Sequence, residues 1–241
     1  MLSNLSMTMH FWNYLFFRTY FSAENTMLKI EGWGILTIIF PVSTKTFKIT
    51  MGPQKIIYYP QVYRMAKKNL EAFINNAIVN EVHKMIGLNS GDTMTPLVEM
   101  IGTYELKNNQ RNVLSLTLSN YSYYYNAAHG MTNITSLTFD LEKGRLCELK
   151  DLFKPGSNYV DTISKLIHDQ IKQRNIMLIN DFTVIRPNQY FYIADKTLVI
   201  YFQLYELTPY VFGFPMFPIS VYDIQDIIDE DGPLGRMAIN N

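Results

Sequence analysis

The 241-residue chain carries 21 Lys and Arg against 21 Asp and Glu, so its formal charge is zero and no global field draws it to nucleic acid or an anionic bilayer. With 48% hydrophobic and 17% charged residues, including 17 Tyr and 15 Phe, it has the apolar surface that a folded core needs and not the composition of a disordered chain. A single cysteine, Cys147, excludes an intramolecular disulfide and a cysteine-based zinc site.

No membrane-spanning segment is expected. The longest apolar candidate, Gly32 to Thr44, has 13 residues between Glu31 and Lys45, whereas a span needs about 18. The longest charge-free stretch, Asn112 to Phe139, is filled with Ser, Thr, Asn and Tyr, which suit a sheet and not hydrocarbon. Residues 1–26 show no basic region before the aromatic run Phe11, Trp12, Tyr14, Phe16 and Phe17, and Arg18 interrupts that run, so no export signal is expected. Residues 1–40 lack a sustained period and are expected to lie outside the folded unit.

Along the chain, Thr46 to Met51 and Lys55 to Tyr59 cluster β-branched and aromatic residues around Gly52-Pro53, the pattern of a hairpin. From Ala66 the spacing changes to three and four: Leu70, Phe73, Ile74, Ala77, Ile78, Val82, Met85 and Ile86 form one stripe of a helix expected to end at Gly87. Strands are expected at Leu97–Lys107 and Val113–Tyr125, joined by Asn108-Asn109-Gln110. In the second, Leu114, Leu116 and Leu118 face the core, opposite Ser115, Thr117 and Ser119. Beyond Asn120 the large side chains change parity to Tyr121, Tyr123 and Tyr125, which predicts a bulge or a change of covering layer.

A turn at Ala127-Ala128-His129-Gly130 leads to a strand at Asn133–Asp140 and a tight turn at Glu142-Lys143-Gly144. Pro155-Gly156-Ser157-Asn158 breaks the chain before a second amphipathic helix traced by Tyr159, Val160, Ile163, Leu166, Ile167 and Ile171. Strands follow at Gln189–Ala194, Thr197–Tyr205 and Phe217–Val221, then a helical turn at Tyr222–Ile228. The expected fold class is α+β, with antiparallel sheets and one amphipathic helix packed on each of two small modules. The expected domains are an unassigned extension (1–40), modules at 41–150 and 151–229, and a frayed tail (230–241).

The sequence contains no G-x-S-x-G, H-E-x-x-H or phosphate-binding G-x-x-x-x-G-K-[ST], and Gly32-Trp33-Gly34 does not complete a dinucleotide fingerprint. The four histidines, 10, 83, 129 and 168, are scattered and have no metal-ligand spacing, so no cofactor or metal is expected. Cys147 alternates with Leu146 and Leu149 beside Glu148, a setting that raises a thiol pKa and favours a buried strand residue over a nucleophile. His129 has small neighbours at a turn, where an imidazole either faces a cleft or fixes the backbone. Asp223, Asp226, Asp229, Glu230 and Asp231 lack calcium-loop spacing and read as a solvated face. In the segment Glu206 to Phe214, Pro209 stiffens the loop and Gly213 permits an unusual backbone angle. Tyr210, Val211 and Phe212 there need burial under the sheet or a partner.

Asn126-Ala127-Ala128-His129-Gly130, Ser136-Leu137-Thr138-Phe139-Asp140, Gly144 and Asp151-Leu152-Phe153 resemble the joint of a family of paired bacterial modules of unknown function. Phe191-Tyr192-Ile193, Leu198-Val199-Ile200-Tyr201-Phe202, Tyr205-Glu206, Pro209 and Gly213 resemble the second domain of that family. The resemblance covers Pro41 to Ile228. Such pairs occur in the extracytoplasmic part of the anti-sigma-V factor, which binds lysozyme, and related modules precede a peptidoglycan deacetylase domain. It implies an extracytoplasmic, non-enzymatic binding module of the cell envelope or spore that recognises a lysozyme-like protein or a cell-wall glycan. The expected contact residues are Glu206, Pro209, Tyr210, Phe212, Gly213 and His129. Two alternatives stay open: an enzyme acting on envelope polysaccharide with Glu206 and Asp140 as acid and base, and a cytoplasmic or spore protein with an unrelated partner.

Overall fold

The structure is a computed structural model and describes residues 27–29, 35–37, 40–89 and 95–239. The chain divides into two units, Met1–Phe40 and Pro41–Asn241. In the first, Met27–Lys29 (β1) and Ile35–Thr37 (β2) pair antiparallel, with Met27 opposite Thr37. Most of residues 1–40, and so the expectation made for them, lies outside the described residues.

The second unit begins with the hairpin of Ser43–Thr50 (β3) and Lys55–Tyr63 (β4), in register from Ser43 opposite Tyr63 to Thr50 opposite Ile56. Its turn closes through the Met51 amide on the Lys55 carbonyl. Helix α1 spans Lys68–Asn89. Gly87 takes no left-handed angle there, so the helix runs past the expected stop. Ile74, Ile78, Val82 and Met85, three or four residues apart, are all buried against Leu114, Leu116, Leu118 and Phe139. Truncating any of these to Ala costs about 2–5 kcal/mol. The Asn75 side chain locks the helix to β4, accepting from the Val62 amide (2.8 Å) and donating to its carbonyl (2.9 Å).

The sheet continues with Leu97–Gln110 (β5), Val113–Tyr124 (β6), Met131–Asp140 (β7) and Arg145–Leu146 (β8), giving the order β3-β4-β5-β6-β7-β8. All its pairs are antiparallel except β4 with β5, where Lys55–Ile57 run parallel to Met100–Gly102. This departs from the purely antiparallel expectation. The physical reason is the 22-residue helix between the two strands, which carries the chain back so that β5 starts from the same end as β4.

Both faces of β6 are buried. Leu114, Leu116 and Leu118 point to α1, while Ser115 and Thr117 lie under a second, three-stranded sheet of Phe191–Ala194 (β9), Thr197–Tyr201 (β10) and Met216–Ser220 (β11), in the order β11-β10-β9. Hydroxyls bridge the two sheets. Ser115 Oγ accepts from the Ile193 amide (3.0 Å) and bonds Thr138 Oγ1 (2.8 Å); Ser136 Oγ donates to the Phe191 carbonyl and accepts from Tyr201 OH (3.0 Å). The parity change beyond Asn120 involves no bulge in β6, whose pairing with β7 is unbroken; the register shifts sit in β5, at Leu97/Glu99 and Leu106/Asn108.

Helix α2, Tyr159–Gln173, buries Ile163, Ile167 and Ile171 in a second hydrophobic cluster with β9, β10 and β11. Part of the expected tail is helical. Pro233–Ala238 form a third helix, α3, with Leu234 and Met237 fully buried in that cluster. Two arginines fasten it. Arg236 Nη2 pairs with the buried Asp140 (2.7 Å) and its Nε donates to the Arg111 carbonyl (3.1 Å), while Arg111 Nη1 donates to the carbonyls of Arg236 (2.8 Å) and Met237 (3.1 Å). Among the described residues, no helix is long and apolar enough to cross a membrane.

Candidate binding site

Strand β10 ends at Tyr201 and not at Tyr205, because side chains take over from the ladder. Gln203 accepts from the Ile134 amide (3.2 Å) and donates to the Ile134 carbonyl (2.6 Å), imitating a strand pair with β7. Glu206 accepts from the Gln203 amide (2.7 Å) and forms an ion pair with Arg186, so it staples its own loop. Tyr205 takes a left-handed angle, φ 62°. Pro209, φ −55°, then starts a single 3₁₀ turn over Tyr210–Phe212, closed by the Phe212 amide on the Pro209 carbonyl (3.0 Å). Gly213 ends it at φ 66°, an angle that favours glycine.

This loop lands on the turn between β6 and β7. His129 Nδ1 donates to the Gly130 carbonyl, which only accepts, 2.9 Å away. Its Nε2 lies 3.2 Å from Tyr205 OH, within hydrogen-bond reach. The Tyr210 ring stacks on the imidazole, centroids 4.3 Å apart at 30°, and its hydroxyl donates to the same Gly130 carbonyl (3.1 Å). Tyr205 and Tyr210 lie 5.6 Å apart. Desolvation pushes the Tyr121 phenol up, with Glu99 and Tyr210 beside it adding to the shift.

The cluster presents exposed apolar surface: Tyr205 is 46%, Phe212 50% and Val211 83% exposed. Exposed aromatic rings on a loop whose backbone is itself held by hydrogen bonds are groups of the kind that anchor protein interfaces, since little loop-ordering entropy is lost on binding. His129 and Tyr210 are thus brought together, and Pro209, Phe212 and Gly213 shape the same loop. The carboxylate of Glu206 is turned to Arg186 and Gln203. The expected contact residues did not include Tyr121, Gly130 or Tyr205. The parity change at Tyr121 and the glycine following His129 were the available signals.

Asp140 belongs elsewhere. It accepts from the amides of Glu142 and Lys143 (3.1 Å each) and pairs with Arg236 at the far end of β7, six strand residues or about 20 Å beyond Ile134. Glu206 and Asp140 therefore do not form the acid and base of one cleft. Cys147 is buried, donates its amide to the Thr138 carbonyl (2.8 Å), and has its thiol pushed up to about 11 by burial. His83 and His168 are exposed on α1 and α2. Among the described residues, no three or more His, Cys, Asp or Glu side chains are grouped to hold a metal ion.

A twisted sheet carrying a helix on one face and a second sheet on the other, with an aromatic loop at one end, defines an α+β protein with antiparallel sheets and few helices. Residues 150–222 match the family model described as "Protein of unknown function (DUF3298)". Over 184 residues, 70% of this chain, the sequence is 27% identical to anti-sigma-V factor RsiV of Bacillus subtilis (strain 168). The match covers 63% of that protein, so the chain spans less than two thirds of its length. The fold is similar to the crystal structure of a DUF3298 family member from Bacteroides fragilis (TM-score 0.62) and to that of one from Pseudomonas aeruginosa PAO1 (TM-score 0.55). Each is 13% identical and covers 83% of this chain and 98% of its own, a likeness of fold alone.

Proposed function

We propose that Pro41–Asn241 is a non-enzymatic binding module of the bacterial cell envelope that recognises a protein partner through His129, Tyr205, Tyr210 and Phe212. The observation that carries this reading is the loop itself: Tyr205, Val211 and Phe212 stand exposed on a loop held over the β6–β7 turn by the Tyr210 hydrogen bond to the Gly130 carbonyl and by the Gln203 clamp on Ile134. The similarity to an anti-sigma factor supports a protein partner. The sequence resemblance to lysozyme-binding modules makes a lysozyme-type protein the first candidate. The reading includes two submodules, 41–150 and 151–229, and is supported there by α1 and α2 lying in separate hydrophobic clusters.

Titration of the full chain with lysozyme, and separately with purified peptidoglycan, tests it. Saturable binding of the protein, weakened about tenfold or more by Phe212→Ser with unchanged melting temperature, is the expected result. Binding of neither, or binding indifferent to Phe212→Ser and Tyr205→Ser, would sink it. Retention on peptidoglycan alone would move the reading to a glycan.

A further inference from the structure

A cleft of about 730 Å³ opens between the first turn of α1 and the β7–β8 turn, away from the aromatic loop and within the size range of small-molecule sites. Lys67 and Lys68 come from one side and Lys143 from the other; Leu70 and Phe73 supply apolar wall. Lys67 is exposed and has no ion-pair partner among the described residues. Lys68 reaches Glu71 and Lys143 reaches Asp229 only at 3.3 Å, in exposed pairs of the kind that are weak and exchange readily. The carboxylate on the wall, Glu142, is engaged by Arg236 (3.3 Å). The Lys67 carbonyl accepts from the Leu70 and Glu71 amides, which sets the positive end of the helix dipole at the same place.

The apolar wall is rigid. Phe73 is 41% exposed, yet its ring is fixed edge-on against the buried Phe139, centroids 6.2 Å apart at 87°, and Leu70 packs into the α1 core. Lysines supplied to one cleft by two elements suit a dianion better than a single carboxylate, and the half-open Phe73 ring beside them suits a flat apolar substituent.

We infer that this cleft binds a phosphate monoester carried on an aromatic or other apolar group, the phosphate on Lys67, Lys68 and Lys143 and the apolar group on Phe73 and Leu70. The inference is independent of the partner reading above. It is tested by titrating the ¹⁵N-labelled full chain with phenyl phosphate and with inorganic phosphate, and by co-sedimentation with neutral vesicles doped with phosphatidic acid. Saturable shifts of the amides at 67–70, 73 and 142–144 are expected. Inorganic phosphate should bind at least tenfold more weakly, and the exposed-site double variant Lys67→Ser/Lys143→Ser should weaken phenyl phosphate at least tenfold with its melting temperature kept. Binding of the soluble ester assigns a free ligand; co-sedimentation lost in the same variant assigns a lipid headgroup. No saturable shift together with no co-sedimentation, shifts unchanged in the double variant, or equal affinity for inorganic phosphate would overturn it.

Discussion

The ring of Tyr121 fills the space that a side chain at Gly130 would need: a Cβ there would stand 2.2–2.4 Å from Cε2, Cζ and Oη of the tyrosine. Gly130 also offers the carbonyl shared by His129 and Tyr210, so the turn and the aromatic loop depend on this close approach. Gly130→Ala should cost about 1–3 kcal/mol, the usual cost of overpacking. In denaturant unfolding, Tyr121→Ala combined with Gly130→Ala should be more stable than the sum of the two single changes allows.

Tyr210 and Phe212 should behave differently. Tyr210 is partly buried, stacked and hydrogen-bonded, so Tyr210→Ser should lower stability by about 1–3 kcal/mol. Phe212 is half exposed, and Phe212→Ser should change stability by less than about 1 kcal/mol. Thermal melts of the two variants side by side check this; a loss of about 3 kcal/mol at Phe212 would mean that the ring plugs the sheet.

Arg236→Ala should be among the most damaging single changes, at about 3–5 kcal/mol, because it strands the fully buried carboxylate of Asp140. Arg236→Lys should rescue little, since one ammonium cannot serve Asp140, Glu142 and the Arg111 carbonyl together. Urea midpoints with a near-constant slope would provide the measure.

Alkaline pH should destabilise the fold before it breaks ion pairs. Burial raises the Cys147 thiol from its ordinary 9.0 to about 11, with the Arg145 charge partly opposing, so the unfolded chain gives up this proton first as pH rises. Stability is then fully present below about pH 9 and falls by about 1.4 kcal/mol per pH unit until about pH 11. Burial raises the Tyr201 phenol as well, which extends the loss. Cys147→Ala should flatten the pH 9–10 part of the stability curve, and in the native protein at neutral pH the thiol should resist alkylation until unfolding exposes it.

Much of the first sheet was legible because its signals are local. The α1 stripe from Leu70 to Ile86 and the Gly52-Pro53 turn each specify their element within a few residues. The features that were not legible depend on distant partners. Ser115 and Thr117 alternate with leucines as in a half-exposed strand, and only the arrival of Ile193, 78 residues on, buries them. Helix α3 is too short to show a period, and Arg236 finds Asp140 across 96 residues. At the candidate site, Pro209 and Gly213 marked the loop, but nothing in the sequence says that Tyr210 stacks on His129, because that contact is made by the packing of the two sheets.

The bridging hydroxyls of Ser115, Ser136 and Tyr201 work as an index between the two sheets. Apolar attraction is non-directional and specifies alignment only through shape, whereas the directional bonds are satisfied in one alignment, and a displacement by one strand residue would leave the Ile193 amide buried with no acceptor. A chain with alanine or valine in place of these hydroxyls would keep a greasy interface of similar area and lose its detent. The aromatic loop, which hangs from the last strand residues of the smaller sheet, would then wander relative to His129 while the fold itself survived.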